Sequence, residues 1–429
     1  MSLNNLLSEI YDSFREHASG AKVTLIHAQS RYRTALLSQM LADPNLRVFY
    51  YAMGADDVDM RSFIAGFTHD ISEQVPTFGT RVNQVSMDTP TNQERMVGAF
   101  ADDLDNLSSD PFVLLLDEFD RADIADDLQS FLEQLITVLP SQCKLVLSGR
   151  GLPRLPWMSL IAQRQAVMLR DKDLIRTDFY ANQSPESARM VISALGPGHV
   201  LLDNELIEAW EGHLPRLLFF FALERPYVTR SEICQAFWPE LHSDQAVNVF
   251  HVTKRRLHKA LDVLGMDVLV HESSFYRVNP ALQIHYDVVD FVGALVDGRT
   301  ATTPAEQLSA WQRAVDLHQY PFLQGHSEGW ITRRRNEYMA GYIEALSSIA
   351  DLRIADGRAE TALNLLQRAV EQDSSRQDIH RRIMQLFGAL GRRSEAAGHY
   401  QRLRDELKAT GEIMEPETRT LYEDIIRNE

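Results

Sequence analysis

Cysteine is scarce: two occur in 429 residues, Cys143 and Cys234, each inside an apolar segment. That is too few for a disulfide framework or a thiolate metal site, and both read as reduced core residues. Long apolar runs are missing too, since none reaches the ~18 residues of a membrane span. The first twenty residues, MSLNNLLSEIYDSFREHASG, contain acids and no apolar core of the signal-peptide kind. The reading is a cytoplasmic protein that makes no membrane contact. Cations are outnumbered, 43 Lys and Arg against 60 Asp and Glu, for a net charge of −17. Such a chain cannot coat nucleic acid through overall charge, so any contact with it has to be a local patch. No nucleophile motif and no Cys/His ligand spacing occurs, so no catalytic residue, metal or cofactor is expected.

What is present is ordinary globular composition, 45% hydrophobic and 24% charged, in a chain long enough for two to four domains. In the first 195 residues, short apolar runs alternate with helical stretches. Lys22 to His27, Leu46 to Met53, Phe112 to Leu116 and Lys144 to Ser148 read as buried strands. Arg33 to Ala42 and Asp127 to Leu139 are two of the helices between them. This alternation predicts a mainly parallel α/β sheet, whose ligands would bind at the carboxyl ends of the strands. The run PFVLLLDEFD, Pro111 to Asp120, puts Asp117 and Glu118 at such an end. It resembles a Walker B strand, where the first acid holds Mg²⁺ and the second orients water. Together with KLVLSGRGLPRLPW and DLIRTDFYANQSPESARMVI it resembles the STAND ATPases of the MalT type, over roughly Ala21 to Leu195. The phosphate loop of that family should fall at LIHAQSRYRTALL, Leu25 to Leu37, which has neither glycine nor lysine. Glycines let backbone N–H groups close on phosphate and the lysine neutralises it. A scaffold with a lost nucleotide site is therefore expected, in which Asp117 pairs with Arg150 or Arg31.

The densest cationic stretch is SDQAVNVFHVTKRRLHKAL, Ser243 to Leu261. Ser243 can cap a helix, and Val247, Phe250, Leu257 and Leu261 repeat at roughly helical spacing. Asn248, His251, Arg255 and His258 share another face, flanked by Arg256 and Lys259. Before it, Thr229 and Glu232 read as a capping box for a helix that Pro239 stops. After it, LVHESSFYRVNP reads as two strands around a polar turn. Helix, turn, cationic helix and hairpin make a winged helix. The pieces PRLLFFFALERPYVTRSEICQAFWP, NVFHVTKRRLHKAL and SSFYRV resemble the OmpR-type winged helix of bacterial activators that carry a BTAD (SARP) domain. The resemblance implies base contacts from Asn248, His251, Arg255 and His258, phosphate contacts from Arg256 and Lys259, and a wing carrying Ser274 and Arg277. Lys254 departs from it, at a position the family keeps apolar. Leu201 to Asp290 has 8 Lys and Arg against 13 Asp and Glu, so the cationic patch sits on an acidic body.

From Asp287 the chain turns helical. DVVDFVGAL leads into a polar break, Asp297 to Glu306, and two segments then align at one offset: Gly357 with Gly391, Arg358 with Arg392, Ala362 with Ala396, Gln367 with Gln401. That offset is the ~34-residue period of tetratricopeptide helix pairs. His380, Arg381 and Arg382 read as a solvated helix face. YPFLQG, EGW and the pair Arg335 and Tyr342 resemble the BTAD domain itself, over Asp287 to Ile425. The expected protein is multidomain, α/β plus α. It has a P-loop-like parallel-sheet domain (1–195), a winged helix-turn-helix (196–286) and a TPR-like helical repeat (287–429). By resemblance it is a transcriptional regulator of the activator type, taking double-stranded DNA as partner, forming a homodimer and contacting RNA polymerase. Two alternatives stay open: a STAND regulator switched by nucleotide at a divergent working site, and a protein-interaction scaffold that no longer binds DNA.

Overall fold

The computed structural model describes residues 3–85, 92–171, 174–176, 179 and 181–427. Two compact units emerge: one of residues 1–192, 199–286 and 328–330, the other of 193–198, 287–327 and 331–429. No helix among the described residues is long and apolar enough to cross a membrane.

The first unit opens with α1 (Leu3–Ala18), β1 (Val23–Ile26), α2 (Arg33–Ala42), β2 (Arg47–Ala52), α3 (Met60–Gln74) and α4 (Asn92–Asp105). It continues through β3 (Phe112–Asp117), α5 (Asp126–Val138), β4 (Cys143–Ser148), α6 (Trp157–Ala162), β5 (Ala166–Asp171) and β6 (Leu174–Arg176). The strands lie in the order β2-β3-β4-β1-β5-β6, parallel except for the antiparallel β6. The four expected strands and both named helices fall on these elements. The largely apolar runs of β1, β3 and β4 follow from cover on both faces, whereas β2, at the sheet edge, alternates exposed and buried residues. Val113, Leu115 and Val146 pack with Ile10, Phe14, Leu36 and Met40 of α1 and α2. The opposite side carries an aromatic cluster of Tyr51, Phe63, Phe67, Phe100 and Phe131, mostly in edge contact. Of the segment 173–192, residues 173, 177, 178 and 180 lie outside the described residues.

Next come β7 (Met190–Ser193), β8 (His199–Leu202) and β9 (Glu205–Leu206), which with β13 (Ile284–Tyr286) form a second sheet, β13-β7-β8-β9. Nothing in the sequence reading anticipated it. Between these strands run α7 (Leu214–Leu223), β10 (Val228–Thr229), α8 (Arg230–Phe237), α9 (Ser243–Ala260), β11 (Leu269–Glu272) and β12 (Phe275–Val278). Strands β10-β12-β11 make an antiparallel sheet. α7 is buried almost all round, from Leu217 to Leu223. The capping box of α8 is present: Thr229 accepts from the Glu232 N–H, and Glu232 accepts from the Thr229 N–H.

The second unit is helical: α10 (Asp287–Thr300), α11 (Pro304–Leu317), α12 (Gly329–Ala355), α13 (Ala359–Gln372), α14 (Gln377–Ala389), α15 (Arg393–Thr410) and α16 (Pro416–Arg427). The polar break expected from Asp297 is shorter, because α10 runs on to Thr300. Gly298 is there for contact: a Cβ on it would lie 2.5 Å from the Trp311 ring of α11. Gly357 and Gly391 take the same left-handed φ of 72°, each ending a helix ahead of a buried alanine, Ala362 or Ala396. The loop 320–327 lies against residues 194–196, with Leu323 N–H donating to Ala194 O and Gln324 N–H to Gly196 O.

His380 contradicts the solvated face expected of it. It is buried, and its Nδ1 lies 2.8 Å from Nε2 of buried His399. Arg381 and Arg382 turn to Glu415 and Asp351. The reason is that α15 packs across α14 on the side where His380 sits.

Candidate nucleic-acid interface

α9 begins at Ser243, so its N-cap position falls to His242, in extended conformation and without a side-chain cap. This corrects the capping role expected of Ser243. The first helical bond, Ala246 N–H to His242 O, starts the helix one residue early. Ala246, Phe250, Thr253 and Leu257 form its buried side, with Leu261 just beyond. Val247 is half-buried.

Opposite, Asn248, His251 and Arg255 are exposed at spacings of three and four residues, hence on one stripe. Arg255 is exposed and makes no ion pair or hydrogen bond among the described residues, leaving its five donors to solvent. The flanking cations are engaged. Glu211 holds both Lys259, at 2.5 Å, and Arg256, at 3.3 Å. Those two cations pull the Glu211 carboxyl below its ordinary value. His258 is half-buried, with Nδ1 2.7 Å from Asp267, so it lies off the exposed stripe. Burial lowers its pKa against the opposing pull of Asp267.

The hairpin turn puts Ser273 and Ser274 at φ 47° and 80°, with Ser274 exposed at the tip. Tyr276 is buried under Phe250, ring centroids 5.0 Å apart, and the Lys254 ammonium sits 5.5 Å over the Tyr276 ring. The lysine that departs from the apolar pattern thus packs by its stem and by a cation–π contact. Arg277 is tied to Glu272 across the hairpin at 2.8 Å. A cleft of 640 Å³ opens between α8, the first turns of α9 and the hairpin tip; Arg230, Ser231, Gln235, Ser243 and Ser274 line it. Arg230 and Ser231 were not among the residues singled out in the sequence; their place at the first turn of α8 was the available signal.

At the carboxyl end of β1 the loop between β1 and α2 is closed on itself. Gln29 N–H donates to His27 Nδ1, Ser30 N–H to His27 O and Tyr32 N–H to Ser30 Oγ. Arg31 N–H donates to an Asp171 carboxylate oxygen at 3.2 Å, and the Arg31 side chain lies beside the same group. Four successive N–H groups are therefore spent where a phosphate loop would offer them. Asp117 accepts from Tyr50 Oη at 3.5 Å and from the Glu118 N–H. The pairing expected of Asp117 with Arg31 or Arg150 is not what forms. Arg31 goes to Asp171, and the Arg150 N–H goes to Asp120. Glu118 is left-handed, φ 52°, and pairs with Arg121. Among the described residues no cluster of three His, Cys, Asp or Glu could hold a metal ion.

Residues 286–426 match the profile of the bacterial transcriptional activator domain. No curated protein matches the chain. Among solved structures the chain is similar to Mycobacterium tuberculosis EmbR, solved in complex with a low-affinity phosphopeptide. There the identity is 21%, 57% of this chain and 66% of that one are covered, and the TM-score is 0.47. It is also similar to a Pyrococcus horikoshii STAND protein with a tetratricopeptide repeat sensor, at 13% identity over 96% of this chain and 65% of that one, TM-score 0.26. A Walker-type ATPase of Pyrococcus abyssi gives 12% identity over 98% and 88%, TM-score 0.23. The chain spans just under two thirds of each of the first two.

Proposed function

We propose that this chain, which carries a bacterial transcriptional activator domain over residues 286–426, is a cytoplasmic regulator that binds specific double-stranded DNA. Residues 196–286 are its winged helix-turn-helix, with α9 as the helix that enters the major groove and β11–β12 as the wing. The single observation that carries this is the exposed stripe of Asn248, His251 and Arg255 beside the hairpin, on a helix whose other side is core. Arginine reads guanine and asparagine reads adenine through paired hydrogen bonds in that groove. Arg256 and Lys259 hold phosphates, once released from Glu211. His258 works from beneath, orienting the helix end through Asp267, and Ser274 and Arg277 bring the wing to the backbone. Residues 287–429, read as TPR-like repeats, carry assembly into a homodimer and contact with RNA polymerase.

Residues 1–195 are read as a nucleotide-binding scaffold that has lost its phosphate loop, so the chain is not an enzyme. The occupied N–H groups of 29–32 support this, since the affinity of such loops for phosphate comes from those groups left free and a lysine. A second reading, a protein-interaction scaffold without DNA affinity, is favoured by one observation: Arg256, Lys259 and Arg277 are all neutralised by acids.

The test is selection of duplexes from a random library with the full chain, then anisotropy titration of the best site. Arg255→Ala should lose ~1–3 kcal/mol on that site, with specificity relaxed at one base pair. No selected duplex, or unchanged binding by Arg255→Ala, would remove α9 as the reading helix.

A further inference from the structure

We infer that the acidic loop between β3 and α5 is a lock on the DNA-facing end of α8, so that DNA competes with the α/β layer for that helix end. The inference rests on the DNA-binding reading. Its centre is Arg154, which follows β4 and is 0% exposed. Its Nε donates to Asp123 O at 2.8 Å and one terminal nitrogen donates to Asp126 at 2.7 Å. Its other terminal nitrogen pairs with Glu232, the N3 acid of α8. The guanidinium also lies 5.4 Å over the ring of Phe275, the residue after the hairpin tip. Asp126 reaches further: its second oxygen accepts from Thr229 Oγ1, the cap of α8, at 2.9 Å. Arg225, just past α7, closes the network by donating to Arg154 O and to Glu133 of α5, both at 2.7 Å.

Two independent features turn this packing into a competition. The first is electrostatic. A helix N-terminus attracts anions, and the first helix of a helix-turn-helix crosses the DNA backbone. Here Glu232 caps α8 from within, and Asp126 adds a second carboxylate from the α/β layer at the same end. Asp120, Asp123, Asp126 and Asp127 stand within eight residues of one another, opposing an approaching phosphate. The second is steric. Ile124, at the crest of this loop and 66% exposed, lines the same cleft as Arg230, Ser231, Ser243 and Ser274. Those are the groups that a sugar-phosphate backbone running between α8 and the wing would touch. Arg154 keeps Asp126 and Glu232 together; without it, two carboxylates would face each other across the contact and drive it open.

The test uses the full chain with Ile124→Cys. Cys234 lines the cleft with residue 124, and Cys143 is buried out of reach. A short bis-maleimide with a reducible disulfide in its spacer bridges residues 124 and 234. The parent protein with N-ethylmaleimide on Cys234 controls for added bulk. On the selected duplex the bridged form should bind at least tenfold more weakly than the control, and cleavage of the spacer should restore affinity. Unbridged Arg154→Met, which leaves two carboxylates to repel, and Asp126→Asn, which loses the ion pair to Arg154 and one charge opposing phosphate, leave the cleft unfilled and should each bind about tenfold more tightly than the parent. Equal affinity of bridged and cleaved forms would overturn the lock and leave DNA binding standing. So would weaker binding by both open variants in folded protein. Failure of every form, the open variants included, to bind any duplex would overturn the DNA-binding reading and the lock with it.

Discussion

Replacing Arg335 by lysine should loosen the second unit without changing its charge. Arg335, on α12, donates Nε to Phe322 O at 3.0 Å and one terminal nitrogen to Leu323 O and His326 O, at 2.9 and 2.7 Å. The three carbonyls belong to a loop that holds Leu323 at φ 43° and Gly325 at φ 89°, with Phe322 and Leu323 fully buried. A leucine in the left-handed region costs free energy that its surroundings have to offset. A guanidinium fork meets three divergent acceptors; an ammonium on a thinner stem satisfies one. Two charge-assisted bonds are then lost, at ~1.5–3 kcal/mol each. The site is half-exposed, so water recovers part of this, and the net loss should be about 3 kcal/mol. For a unit of this size each kcal/mol moves the midpoint by roughly 2–4 °C, so its transition should fall by about 9 °C. Calorimetry of the full chain reads that, and faster amide exchange at Leu323 and Gln324 locates it, since those N–H groups bind residues 194 and 196. A midpoint within about 2 °C of wild type, against an expected fall of ~9 °C, with unchanged exchange at both amides, would mean that the loop stands without Arg335.

Three further outcomes follow from the same side-chain geometry. Glu211→Gln frees Lys259 and Arg256, so affinity for the selected duplex should rise and the salt dependence steepen by up to about two phosphate contacts; Lys259→Ala should weaken all sites alike and flatten it by about one. Calorimetric titration with ATP and Mg²⁺ should give no saturable heat, and phosphate release should stay at background; micromolar binding abolished by Asp117→Ala would mean that the loop 27–32 reopens around nucleotide. Burial lowers His318 and His399 to about 4, with a second push on His399 from His380. The folded form therefore binds fewer protons than the unfolded one between pH 6.5 and 4, so the second unit should be fully stable above pH 6.5 and lose stability as pH falls through that window. Urea midpoints at pH 7.5 and 5 check the sign, and His399→Gln should reduce the slope.

The sequence by itself determined whatever is written in short-range pattern. The central strands β1, β3 and β4 showed as short, largely apolar runs because both faces of the sheet are covered there. The α8 cap showed because Thr229 and Glu232 lie three apart, and the matching helix ends at Gly357 and Gly391 showed because glycine and a buried alanine recur at one offset. The exposed stripe of α9 was legible for the same reason: helical geometry sets which side chains share a face. Tertiary structure decided which of those side chains are free. Glu211 takes Lys259 from 48 positions away, Arg154 finds Glu232 across 78, Asp171 lies 140 positions from Arg31, and His380 meets His399 only because α14 packs on α15. A charge in sequence is only a charge; its partner is chosen by packing between segments that carry no local record of each other. The expected role of Asp117 and the solvated face at His380 failed on that point. Of the four residues read onto one face of α9, Asn248, His251 and Arg255 are exposed, while His258 is half-buried against Asp267, a partner that no helical spacing could reveal.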